Sequence, residues 1–94
     1  MPGLRFEWDA AKAERNASDH GVTFDNATLV FDDAFALEWL DDREDYGEDR
    51  FVIIGMVDGR LLYVAYTMRA DVYRIISARG AEANERRQYH EENP

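Results

Sequence analysis

Residues 50–69 read RFVIIGMVDGRLLYVAYTMR, and this stretch decides the fold. Two strongly apolar runs flank the dipeptide Asp58-Gly59, which is a strong local signal for a two-residue hairpin turn of type I′. Runs of this length that are rich in valine, isoleucine and tyrosine are typical of β-strands. The sequence therefore predicts an antiparallel hairpin with strands over 50–57 and 60–68.

Both faces of this hairpin are apolar. The turn predicts a register in which Ile54 lies opposite Tyr63 and Phe51 lies opposite Tyr66. One face then carries Phe51, Ile53, Leu62, Val64 and Tyr66, and the other carries Val52, Ile54, Met56, Leu61, Tyr63 and Ala65. A sheet of this kind is covered on both sides. We expect N-terminal helices on one face, and the C-terminal helix or a partner protein on the other.

A row of arginines is expected across the next strand. A looser turn leads into a strand over 72–78, and its predicted register places Thr67 opposite Arg74. Arg50, Thr67 and Arg74 would then lie side by side, with Arg69 just beyond them. Clustered arginines repel one another unless an anion lies among them. The anion is either a nucleic-acid phosphate or a carboxylate from the acidic segment before the hairpin, and the spacing favours the carboxylates.

The rest of the chain predicts helices around this sheet. Asp9 and Gly21 are suited to begin and end a first helix, and Thr23 is suited to cap a second one. The expected elements are a strand over 4–8, helices over 10–19 and 24–31, a strand over 35–40 and a helix over 81–92. The predicted fold class is α+β, with two N-terminal helices, an antiparallel meander of four to five strands and a C-terminal helix. The chain of 94 residues is expected to form one domain over 1–94.

Composition excludes several classes of protein. There is no cysteine, so the chain has no disulfide framework and no thiolate metal site. No run approaches 18 apolar residues, and the first residues lack the basic tip and apolar stretch of a signal peptide. We therefore expect a cytoplasmic protein that has no membrane partner.

The negative charge is concentrated in the first half of the chain. The formal net charge is -9, and residues 32–49 hold nine acids against the single base Arg43. Such acidity argues against a simple nucleic-acid binder, which should present a basic face. The acidic segment is either a solvated loop or a contact surface for a basic partner.

An ordered set of short motifs resembles the BrnT toxins, also catalogued as DUF497. The resemblance runs in order over about residues 5–89. The residues that carry it are Phe6-Glu7-Trp8-Asp9, Lys12, Asn16, His20-Gly21-Val22, Tyr46-Gly47-Glu48, Arg50-Phe51, Ile54-Gly55, Gly59-Arg60-Leu61, Tyr66-Thr67, Arg69, Arg74-Ile75-Ile76-Ser77-Ala78-Arg79, Ala81, Glu85-Arg86 and Tyr89.

This resemblance implies a RelE-like fold and a ribonuclease toxin of a type II toxin–antitoxin system. The implied partners are an RNA substrate and a BrnA-like antitoxin with a ribbon-helix-helix DNA-binding domain. The resemblance also implies a 2:2 heterotetramer of toxin and antitoxin, through which alone operator DNA is bound; a homodimer is the alternative assembly. It implies cleavage without a metal ion or another cofactor.

The resemblance also implies catalytic residues. Metal-free cleavage, in which the ribose 2′-OH attacks the adjacent phosphate, needs proton transfer and positive charge. His20 is the preferred proton-transfer residue, and Arg69 and Arg79 are expected to grip the scissile phosphate. Lys12 lies two helical turns before His20 and could also hold phosphate. The alternatives are a helix-capping role for His20 and pairing of the arginines with Glu7, Glu85 or the acidic segment.

Three further residues are candidates for RNA binding. Arg50 and Arg74 belong to the expected row, and Tyr89 could stack on a base. Packing of Tyr89 against the sheet is the alternative. Glu85 could orient an arginine or act as a base, unless it lies on a solvated helix face.

The chain departs from the family pattern in ways that bear on activity. Asp19 stands where members commonly have a lysine, and the stretch 80–84 lacks the further bases that often follow the Ser-Ala-Arg segment. Because RNA affinity rests on basic groups that meet phosphates, these changes weaken the case for cleavage. The alternative function is a catalytically weak or inactive toxin-like subunit that acts with an antitoxin in operator repression. A free-standing acidic mimic of nucleic acid has less support.

Overall fold

A computed structural model describes residues 3–94 of the chain. The elements, in chain order, are β1 (Arg5–Glu7), α1 (Ala10–His20), α2 (Phe24–Ala27), a 3₁₀ helix (Thr28–Asp32), β2 (Leu37–Asp41), β3 (Arg50–Val57), β4 (Arg60–Arg69), β5 (Val72–Gly80) and α3 (Ala83–Glu92). The fold class is therefore α+β, as predicted. Among these residues, no helix is long and apolar enough to span a membrane.

The five strands form one mixed sheet in the order β1-β5-β4-β3-β2. Strands β2 to β5 form the predicted antiparallel meander. The meander was expected to have four to five strands and has four, because β1 pairs in parallel with β5 instead of joining the meander. The helical segments between β1 and β2 carry the chain across the sheet, so the meander starts at the opposite edge and returns to β1 only with its last strand.

The hairpin register is confirmed. Ile54 lies opposite Tyr63, and Arg50 lies opposite Thr67. Asp58 and Gly59 at the turn both have positive φ, at 49° and 80°, as a type I′ turn requires.

A β-bulge changes the register of the next strand pair. Thr67 lies opposite Arg74 as predicted, but the pairing slips by one residue between Ala65 and Tyr66. Beyond the slip, Tyr63 lies opposite Arg79. Because side chains alternate between the faces, this one-residue slip moves Arg79 to the face that carries Tyr63.

The two faces of the sheet have separate cores, as expected from the hairpin. The first face packs against α1, α2 and the 3₁₀ helix, which contribute buried Phe24, Ala27 and Val30. Gly55 permits this close approach, because a Cβ atom there would lie 2.9 Å from the carbonyl oxygen of Val30. The second face packs against α3 through buried Tyr89. The predicted division of apolar residues between the faces is confirmed.

The helix boundaries follow from their caps. Asp9 accepts a hydrogen bond from the backbone N–H of Lys12 at 3.0 Å, and Gly21 ends α1 with φ 67°. Thr23 caps α2, which lasts only four residues before it tightens into the 3₁₀ helix, whereas one helix over 24–31 was predicted. The β-branched Thr28 and Val30 lower the α-helical propensity there.

Two other predicted elements begin two residues later than expected. Strand β2 begins at Leu37 rather than at residue 35, because Asp33 accepts from the backbone N–H of Phe35 at 2.9 Å and holds the chain in a turn. Helix α3 begins at Ala83 rather than at residue 81, because Glu82 and Glu85 form a capping box.

The buried side chain of Asn16 joins α1 to β5. Its Nδ2 donates to the carbonyl oxygens of Val22 at 2.9 Å and Ala78 at 2.8 Å, and its Oδ1 accepts from the N–H of Ala78 at 3.1 Å. A single amide therefore satisfies three backbone groups in the interior.

Helix α3 is held near its C-terminal end by the carboxylate of Asp33. The hydroxyl of Tyr89 donates to Asp33 at 2.7 Å, and the backbone N–H of Met56 donates to the same oxygen at 2.8 Å. Burial and the bond to Asp33 raise the pKa of Tyr89 to about 12. The tyrosine thus ties α3 to the segment that enters β2.

Candidate functional site

Arg79 is a fixed cation on β5. Its two terminal nitrogens donate to the two carboxylate oxygens of Glu85, each at 2.8 Å. Its guanidinium also lies over the ring of Tyr63, 4.0 Å from the ring centre. The hydrogen bonds from Arg79 hold the pKa of Glu85 below its usual range, so the pair is ionised at neutral pH. Of the two roles expected for Glu85, the structure shows the orienting contact with an arginine.

His20 and Arg79 line the same groove. The groove has a volume of about 600 Å³ and opens between the end of α1, the β3–β4 turn and the start of α3. Two further arginines, Arg60 and Arg86, also line it. The acids Asp19 and Glu82 complete its charged wall. The groove therefore brings three arginines and one histidine together beside two carboxylates, with both terminal nitrogens of Arg79 held by Glu85.

The prediction missed Arg60 and Arg86 as site residues. The guanidinium of Arg60 packs on Gly80, where an added Cβ would lie 2.8 Å from its Nη2 atom. Arg86 donates to the carbonyl oxygen of Ala81 at 2.6 Å. Both arginines stand in the motifs that resemble the BrnT toxins, which was the one available signal, but nothing in their spacing placed them beside His20.

The predicted arginine row forms on the α3 face of the sheet. Arg50, Thr67 and Arg74 are paired across β3, β4 and β5. The hydroxyl of Thr67 donates to the carbonyl oxygen of Asp49 at 2.6 Å, which fixes the end of the acidic segment beside the row.

Carboxylates of the chain itself neutralise this row, as the spacing favoured. Glu48 lies 3.6 Å from Arg50 and 3.8 Å from Arg69, and Glu7 lies 2.5 Å from Arg74. Within residues 3–94, the Nε atom of Arg50 is nevertheless buried without a hydrogen bond.

The structure does not bring the other candidates to the groove. Arg69 pairs with Val72 at the far end of β5 from Arg79, about 23 Å away at the usual rise per strand residue. These two arginines therefore do not meet at one phosphate in this conformation. Lys12 lies exposed on α1, on the other side of the sheet from the arginine row.

Tyr89 is also away from the groove. Its side chain is part of the second core, and only 6% of the residue is exposed. The structure therefore shows the ring of Tyr89 packed in the core, with no face open to a base.

The acidic segment has a buried anchor. Asp41 is buried and accepts from the guanidinium of Arg43 at 2.8 and 2.9 Å and from the hydroxyl of Tyr46 at 3.1 Å. The bonds from Arg43 lower the pKa of Asp41 to about 2. Within residues 3–94, no group of three or more histidine, cysteine or acidic side chains is arranged to hold a metal ion.

Substitution of Asp41 by asparagine is expected to reduce the acid sensitivity of the fold. A carboxyl with a lowered pKa stabilises the fold above its unfolded pKa of 3.8, and this stabilisation is lost as the pH falls towards 2. The wild-type free energy of unfolding should therefore fall between about pH 4 and pH 2 more steeply than that of D41N. Urea unfolding at several pH values measures this. Asp42→Asn, at an exposed neighbour, is the control, and equal slopes for D41N and wild type would contradict the prediction.

The fold and the groove define a small α+β protein with an arginine-lined site suited to a phosphate-bearing ligand. The family model described as the ribonuclease toxin BrnT of type II toxin–antitoxin systems matches residues 8–85. Because this match covers most of the chain, the protein belongs to the BrnT family of ribonuclease toxins. The family implies an RNA target and an antitoxin partner. No curated protein matches the chain.

Proposed function

We propose that this protein is a metal-independent endoribonuclease toxin with a RelE-like fold that acts in the cytoplasm and is neutralised by a BrnA-like antitoxin. One observation carries the placement of the site: His20 and Arg79 line a single groove with two further arginines. His20 supplies an imidazole, the side chain that serves most often in general acid–base catalysis, and the arginines supply the charge that a phosphorane requires.

The proposed reaction is an internal transesterification of RNA. The 2′-oxygen forms a bond to the adjacent phosphorus, and the bond from phosphorus to the 5′-oxygen breaks. The 2′-OH loses its proton and the leaving 5′-oxygen gains one, and His20 carries out proton transfer in this step. Arg79, oriented by Glu85, stabilises the charge on the phosphoryl oxygens. Arg60 and Arg86 are suited to bind the flanking phosphates. The products are a 2′,3′-cyclic phosphate and a 5′-hydroxyl.

Cleavage of a defined RNA in the presence of EDTA tests this proposal. We expect cyclic-phosphate and 5′-hydroxyl ends, and we expect His20→Ala to slow cleavage by about 10²–10⁴-fold, the usual contribution of general acid–base catalysis. His90→Ala is the matched control, because His90 is the other histidine and lies exposed on α3. Unchanged cleavage by H20A would remove His20 from the mechanism, and a requirement of the wild type for a divalent metal would overturn metal independence.

A second candidate function is a catalytically weak or inactive subunit that represses an operator together with the antitoxin. The observation that favours it is internal neutralisation: Glu85 holds Arg79, and Glu48 lies beside Arg50 and Arg69. Expression in cells and operator binding by the purified complex separate the two functions. Growth arrest that the antitoxin relieves supports the toxin, whereas operator binding by a 2:2 complex without growth arrest supports the subunit.

A further inference from the structure

Strand β2 is an open edge of the sheet. It lies outermost beside β3, and in the part of the chain that the structure describes no strand pairs with its outer side. An edge strand presents a row of unpaired backbone N–H and C=O groups, which natural proteins often protect with lysine, proline or a bulge. Strand β2 reads LEWLD and its register with β3 is regular, so it lacks lysine, proline and a bulge. Its protections are its length of five residues and the acidic side chains of Glu38 and Asp41.

Apolar side chains are exposed on both faces of this edge. Trp39 and Leu40 point to opposite faces and are 36% and 48% exposed. On the face of Trp39, a groove of about 610 Å³ runs between β2 and α3, with Leu37 in its floor and Gln88 in its wall. An added strand would place alternate side chains against both faces, so the exposed apolar surface matches the geometry of β-strand addition.

The charge around the edge determines which partner fits. Glu38 and Glu92 line the groove, and the acidic segment over 41–49 follows directly. The carboxylate of Glu38 accepts a hydrogen bond from the hydroxyl of Tyr66 on the opposite face, so Glu92 supplies the charge inside the groove. A second copy of this strand would bring its own carboxylates against these, and like charges across a strand pair are destabilising. A segment with lysine or arginine between apolar residues has the complementary charge.

We propose that β2 takes up an extended, basic segment of the antitoxin as a sixth strand, with one apolar side chain in the groove between β2 and α3. The inference rests on the proposed pairing with an antitoxin, and it is independent of RNA cleavage. It assigns a function to the acidic part of the chain, whose carboxylates bind the basic segment. The arginine-lined groove lies near the opposite end of α3, because that groove includes Glu82 and the β2 groove includes Glu92.

Two leucines at opposite edges of the sheet provide the test. Leu40 on β2 is 48% exposed, and Leu4, just before β1, is 51% exposed. Binding of the full-length cognate antitoxin is measured by calorimetry for wild type, Leu40→Lys and Leu4→Lys. We expect L40K to weaken binding by at least about tenfold, because it puts a cation into the interface and removes an apolar contact from it. We expect L4K to change binding by less than about twofold.

Hydrogen exchange of the backbone gives a second measurement that does not depend on a variant. The amides of residues 37–41 should gain protection when the antitoxin binds, because strand addition pairs their backbone groups. Binding by the wild type without this protection, or equal losses for L40K and L4K, would overturn the inference and leave the pairing intact. Protection that rises with the concentration of the toxin alone would assign the edge to a second copy and also overturn it. Absence of antitoxin binding by the wild type would overturn the proposed pairing together with this inference.

Discussion

Replacement of Arg79 by alanine is expected to slow RNA cleavage by about 10²–10³-fold, the usual cost of removing one preorganised group that stabilises transition-state charge. The side chain is held by Glu85 and by the ring of Tyr63, so its charge stands in place before RNA binds. The measurement is the rate of cleavage of the same RNA under single-turnover conditions. Arg87→Ala is the matched control, because Arg87 is an exposed arginine on α3, the helix that covers the face of the sheet on which Arg79 lies.

The loss of Arg79 also leaves the carboxylate of Glu85 without its partner, and an unpaired buried charge destabilises a protein. A double variant, R79A with Glu85→Gln, removes this charge and separates the two effects. If the double variant regains stability but stays inactive, the arginine acts on RNA. Recovery of cleavage in the double variant, or wild-type cleavage by R79A, would contradict the proposed role.

Replacement of Asn16 by alanine is expected to lower the free energy of unfolding by about 2–4 kcal/mol, because it leaves buried backbone groups of Val22 and Ala78 without partners. For a domain of this size such a loss lowers the melting temperature by about 10 °C or more. Thermal and urea unfolding measure the change. Asn26→Ala, at an exposed position on α2, should change stability by less than about 0.5 kcal/mol. Similar effects of the two substitutions would contradict the role of Asn16 as a buried link.

The sequence predicted those parts of the fold that local chemistry determines. Asp58-Gly59 requires a two-residue turn, and once that turn is placed, alternation assigns every apolar side chain of the hairpin to its face. The caps at Asp9 and Thr23 followed from their ability to accept hydrogen bonds from the first free N–H groups of a helix.

Other features depend on contacts between distant parts of the chain. Three residues of β1 carry no signal that distinguishes a parallel from an antiparallel partner, so its place beside β5 could not be predicted. The same holds for the site: His20 and Arg79 were both named as candidates, but their meeting with Arg60 and Arg86 depends on how the end of α1 sits against the hairpin turn. The resemblance to the family assigned Arg69 to the same phosphate as Arg79. The antiparallel pairing of β4 with β5, which the sequence already predicts, places the two arginines at opposite ends of β5.

The bulge between Ala65 and Tyr66 makes the position of Arg79 a matter of chain length as well as residue identity. The face on which the arginine lies is set by the number of residues between the bulge and position 79. Loss of one residue from that stretch would keep the arginine in the chain and turn it from Tyr63 and Glu85 towards the first core. A relative that retains this arginine in a strand without the bulge would therefore present it to the wrong side of the sheet, and a comparison of residue types alone would not show the difference.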